Sequence, residues 1–125
     1  MNGYFGDVIY SYTRAQAIQD GVLVDVTDTA KEMGFKFPVA VTSSVWQIIV
    51  PDNAAESLGE STSGRLWDCL WMLFVAIKRG GNGSTVPFEF IATEEGRQKL
   101  VRLKAVCGPG DNMEPVITIM LPSED

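Results

Sequence analysis

Apolar residues recur along this chain at helical spacing in its first two thirds and in short runs rich in Val, Ile and Phe thereafter. The first helix is expected over residues 14–20, with Thr13 as N-cap and Gly21 just past its end. A brief extended stretch, Val22, Leu23, Val24 and Val26, comes next. Thr27 or Asp28 then caps a second short helix that stops at Gly34. Ala17, Ile18, Ala30 and Met33 would rest these helices on the core. Pro38 disfavours helix before it, so Val39-Ala40-Val41 reads as extended chain before a turn capped by Thr42 or Ser43 that carries Val45, Trp46, Ile48 and Ile49. Residues 51–64 are small and polar and read as loop.

Ser63 is the expected N-cap of a long helix over residues 64–78, closed by Gly80, Gly81, Asn82 and Gly83. Apolar residues occupy nearly its whole circumference, which predicts packing on several sides. Three strands should follow, Val86 to Ala92, Lys99 to Cys107 and Val116 to Leu121, joined by short turns as an antiparallel meander. The pattern therefore predicts an α+β fold: short N-terminal helices, then one long buried helix packed on a small antiparallel C-terminal sheet of about three strands, all as a single domain over residues 1–125. Trp67, Leu70, Trp71, Phe74 and Ile77 are the expected core face, set against Phe88, Phe90, Val101, Leu103, Ile117 and Ile119.

Charge narrows the function classes. Ten Lys and Arg against 16 Asp and Glu give a net charge of −6, which argues against direct binding to nucleic-acid phosphates. Residues 1–63 hold 8 acids and 3 bases, a net of −5, and residues 64–125 hold 8 acids and 7 bases, a net of −1. The absence of His excludes triads with a His base and two-His zinc signatures. Cys69 and Cys107 are too few for a thiolate metal site without imidazole and are expected as free thiols, so no cofactor is expected. The N-terminus lacks the basic segment and apolar run of a secretory signal, and the longest apolar stretch, Leu66 to Ile77, is too short to span a bilayer. A cytoplasmic protein without membrane contact is expected.

The run Tyr10-Ser11-Tyr12-Thr13-Arg14-Ala15-Gln16-Ala17-Ile18-Gln19-Asp20-Gly21, with Gly34-Phe35-Lys36-Phe37-Pro38, Gly64-Arg65-Leu66-Trp67-Asp68 and Cys107-Gly108-Pro109-Gly110-Asp111 downstream, resembles a family of small uncharacterised bacterial proteins. Members of that family are often carried by prophages, plasmids and integrative elements. The resemblance implies a genomic habit and carries over no activity and no catalytic residue.

Seven residues stand out as a candidate interaction or ligand site. Tyr10, Tyr12 and Arg14 form an aromatic and cationic cluster ahead of the first helix, whose simpler role is to anchor the N-terminus. Asp68 is the one acid within the apolar helix and is expected to pair locally with Arg65 or across to another chain. Arg102 and Lys104 form a basic strip that Glu89 is expected to neutralise across the sheet. Asp111 closes the Cys107–Asp111 string, which reads first as a turn. Convergence of Asp68, Tyr12 and Arg102 in one deep pocket would favour an enzyme or ligand-binding domain, and their dispersal would favour a protein-binding accessory module. A third reading is an acidic nucleic-acid mimic with Asp52, Glu56 and Glu60 as a ridge.

Overall fold

The computed structural model describes residues 12–57, 59–80 and 83–125. Tyr10, Ser11, Gly81 and Asn82, named above, lie outside the described residues. In chain order the elements are α1 (Arg14–Gln19), β1 (Leu23–Asp25), α2 (Thr27–Met33), β2 (Val39–Thr42), α3 (Ser43–Ile49), α4 (Asn53–Ser57), α5 (Thr62–Lys78), β3 (Thr85–Glu94), β4 (Arg97–Pro109) and β5 (Pro115–Met120).

Most boundaries follow from local chemistry. The Thr13 hydroxyl accepts from the Gln16 amide while the Gln16 side chain accepts from the Thr13 amide, a reciprocal cap that starts α1. Gly34 ends α2 at φ 117°, a left-handed conformation that a residue with a Cβ adopts only under strain. Thr42 caps α3 through the Val45 amide. The start of α2 differs from expectation: Val26 occupies the cap, and the Thr27 hydroxyl bonds Asp25 and accepts from the Val39 amide. That bond ties α2 to β2. Helix α5 starts two residues earlier than expected, because Ser61 in an extended conformation accepts from the Gly64 amide. Residues 51–64 are not all loop either. Asp52 accepts from the Ala55 amide and so caps α4.

Among the described residues the sheet has five strands in the order β1-β2-β5-β4-β3, two more than the expected meander. It is also mixed. The β3–β4 and β4–β5 pairs are antiparallel as expected, and β2 lies parallel to β5 with Val39 opposite Ile117 and Val41 opposite Ile119. Arg14–Gln19 and Leu23–Asp25 sit at the far margin, where β1 pairs antiparallel to β2. Parallel pairing between β2 and β5 joins residues more than seventy positions apart, a relationship that no local period encodes.

The core is closed by Val39, Val41, Val45, Ile49, Leu70, Leu73, Phe90, Leu103 and Ile119, all of them fully or almost fully buried. Within α5 the inward stripe is Leu66, Cys69, Leu70 and Leu73, at the spacing of one helical face. The expected core face is therefore corrected at two positions. Trp67 is 42% exposed and Trp71 48%, because they lie on the far side of that stripe. Phe74 is half-buried between them and the core, edge-on to Phe35 at 5.5 Å and stacked with Trp71 at 5.8 Å. Helix α5 thus packs on the sheet and also against α2 and α3, and leaves open the side that carries Trp67 and Trp71.

Candidate functional site: a groove along the edge strand

Among the described residues β3 is the last strand on its side of the sheet, and a groove of about 860 Å³ runs along it. One border is the stripe of α5 formed by Asp68, Trp71, Met72, Val75, Ala76 and Arg79. These residues recur at three- and four-residue steps, so they project from one side of the helix, largely away from the buried stripe. The other border is the solvent side of the β3–β4 hairpin, where Ile91 and Leu100 face one another across the pair at 57% and 54% exposure. Large apolar side chains therefore line both borders. Trp71 is held in place by its stack on Phe74, over whose ring Lys78 sits at 5.3 Å.

The charges in the groove are ordered along it. Arg79 follows the last turn of α5, and Lys104 stands opposite Pro87, so both lie toward the start of β3. Asp68 lies at the other end, where it also borders a smaller pocket with Ile91 and Thr93. Midway, Arg102 donates to Glu89 at 3.0 Å, the cross-strand pair expected from the sequence. Among the described residues Asp68, Arg79 and Lys104 make no ion pair.

Asp68 is exposed and does not pair with Arg65. Arg65 turns inward and is 5% exposed. Its Nε donates to Glu60 at 2.7 Å, one terminal nitrogen donates to the Ile48 carbonyl at 2.8 Å, and the other donates to the Thr93 carbonyl. Hydrogen bonds from Thr93, and after them those from Arg65, hold the Glu60 carboxyl below its usual range against an opposing effect of burial. Glu60 also accepts from the Thr93 amide, so this ion pair blocks the end of the β3 edge. It removes Glu60 from the ridge expected with Asp52 and Glu56.

Of the seven candidate residues, Asp68, Arg102 and Lys104 come together in the groove. Tyr12, Arg14 and Asp111 do not line it. Arg14 and Asp111 form a separate latch: the Asp111 carboxylate accepts from the amides of Arg14 at 2.8 Å and Ala15 at 3.0 Å. The Arg14 guanidinium donates to the Thr118 hydroxyl and the Ile117 carbonyl. Burial lowers the Arg14 pKa, opposed by the charges of Asp25, Asp111 and Glu114. Tyr12 donates to Asp20 at 2.7 Å, and that hydrogen bond raises its pKa. The Cys107–Asp111 string is only partly a turn, since Cys107, Gly108 and Pro109 belong to β4. The turn proper closes with the Gly110 amide on the Glu114 carbonyl at 2.6 Å.

Met72, Arg79, Ile91 and Leu100 were not among the candidate residues, and Trp71 was expected in the core. The nearest signal was Asp68: a lone acid in an apolar helix points to solvent, but by itself it does not fix how far round the helix the open side extends. Among the described residues no three Asp, Glu or Cys side chains cluster in a way that could hold a metal ion. No helix among them is long and apolar enough to cross a membrane.

The groove thus combines two apolar borders with three charges that make no ion pair among the described residues. Over residues 1–125 the chain matches the family described as a family of unknown function, DUF6573, and it belongs to that family. No curated protein and no solved structure matches it.

Proposed function

We propose that this chain is a non-enzymatic protein-interaction module of a bacterial mobile element, acting in the cytoplasm as a single domain and meeting its partner through the groove along β3. The observation that carries this reading is the exposure of Trp71, Met72, Ile91 and Leu100 on the two borders of one groove. Four large apolar side chains held around one concavity gain free energy when a second surface covers them, and interfaces are built around such anchors. A carboxylate enzyme has less support, since Glu89 is bound to Arg102 and Tyr12 lies outside the groove. The nucleic-acid mimic loses the third member of its ridge, because Glu60 is bound to Arg65.

The test is affinity capture from a bacterial lysate with the wild-type chain and with Trp71→Glu, both checked for folding by circular dichroism. The reading requires one partner that persists at about 0.5 M salt, where the Debye length is roughly 4 Å, and is lost with Trp71→Glu. A partner held equally by both chains, or only at low salt, would defeat it.

A further inference from the structure

Thr93 shows which way the edge of β3 faces. Its amide donates to Glu60 and its carbonyl accepts from Arg65, so both groups point away from β4. In an antiparallel ladder the amide and carbonyl of one residue point to the same side and successive residues alternate. The pairing of β3 with β4 runs without a break from Thr85 to Glu94. Thr85, Pro87, Glu89 and Ile91 therefore aim their backbone groups outward as Thr93 does. Among the described residues none of these four has a partner for those groups. Pro87 offers only its carbonyl, and the Arg65–Glu60 pair closes the edge at Thr93. An open run of seven residues, Thr85 to Ile91, is left on the strand that the groove follows.

We infer that the groove takes an extended segment of a partner protein as a sixth strand on β3. This deepens the docking reading above and rests on it. Three amides and four carbonyls of the open run would be satisfied by such a strand, and a docked helix would leave them bare. Alternate side chains of the added strand fall to opposite sides, one set against Trp71, Met72 and Val75 and the other against Ile91 and Leu100. Unpaired charges set the composition of its ends. The segment carries an acidic residue beside Arg79 and Lys104 and a basic residue beside Asp68, with alternating apolar positions between them. Pro87 and the closed end at Thr93 confine it to this short register, which keeps the edge from pairing indiscriminately.

The test uses random eight-residue peptides displayed on phage and selected on the full chain, with counter-selection on Trp71→Glu. Selected peptides should alternate apolar and polar residues, with an acid near one end and a base near the other. N-methylation of alternate amides in a selected peptide should weaken binding about tenfold, and N-methylation of the intervening amides should not. Lys104→Glu should weaken the same peptide, and replacing the peptide's acid by Lys should restore binding. Peptides that need Trp71 but tolerate N-methylation at every amide would overturn strand addition and leave the docking reading standing. Peptides enriched equally on Trp71→Glu, or no enrichment, would overturn both. A dimer in sedimentation that Trp71→Glu dissociates would overturn the choice of occupant, since a second copy would then fill the edge.

Discussion

Asp111 and Arg14 are 97 residues apart and form one latch: the carboxylate of Asp111 receives the Arg14 amide, and the Arg14 side chain reaches on to Thr118 and the Ile117 carbonyl. The first turn of α1 is thereby fixed to the β4–β5 turn and to β5. An acid at a helix start satisfies orphan amides and meets the positive end of the helix. Asp111→Ala is expected to cost about 1–2 kcal/mol in urea unfolding. Thr118→Val, which removes one acceptor of the guanidinium, should cost less. A loss below about 0.3 kcal/mol for Asp111→Ala would mean that the N-terminal helix is not held by this contact.

Arg65 presents the opposite case, a buried charge whose partners are all internal. Arg65→Met would leave Glu60 and the carbonyls of Ile48 and Thr93 without their donor, and about 3–5 kcal/mol of stability should be lost. The exposed pair of Lys99 and Glu94 at 4.0 Å is the control, and Lys99→Ala should cost less than about 0.5 kcal/mol. Acid adds a second readout. The Glu60 carboxyl titrates below its usual 4.5 in the fold, so its contribution is complete above that value and is lost as pH falls through the lower, folded one. Stability measured from pH 5 downward should decline in the wild type, and Glu60→Gln should flatten part of that decline.

Leu73 and Trp67 separate what the sequence disclosed about α5 from what it concealed. Leu73→Ala is expected to cost about 2–5 kcal/mol, because it empties a fully buried site. Trp67→Ala should cost about 1 kcal/mol or less, as the ring is largely in solvent. Equal losses in chemical denaturation would contradict the inward stripe.

The caps at Thr13, Thr42 and Gly34 were legible because they are local chemistry, and the three C-terminal strands because their period is short. The inward side of α5 was not, since apolar residues ring the helix and only the placement of Leu66, Cys69, Leu70 and Leu73 against the sheet selects one stripe. The parallel β2–β5 pair and the Asp111–Arg14 latch were hidden for a different reason. Each joins segments far apart in sequence, and pattern along a chain carries no record of which distant segments meet. In the groove Asp68, Arg102 and Lys104 were legible as charges, and the apolar borders were not, because Trp71 and Ile91 look like core residues in any local window.

Cys69 and Cys107 should differ sharply toward a thiol reagent. Cys69 is fully buried in α5, and burial, with a smaller effect from the charge of Asp68, pushes its thiol up to about 12. Cys107 lies exposed on β4. Since the thiolate is the reactive form, a buried thiol that resists ionisation stays inert while the fold persists. With Ellman's reagent at pH 8 the native chain should release one equivalent quickly and the second only in denaturant; Cys107→Ser should abolish the fast phase. Dithiothreitol should leave the melting temperature unchanged, because neither sulfur is bridged. Two fast equivalents from the native chain would mean that α5 opens readily and that the core around Leu70 and Leu73 is looser than its packing implies.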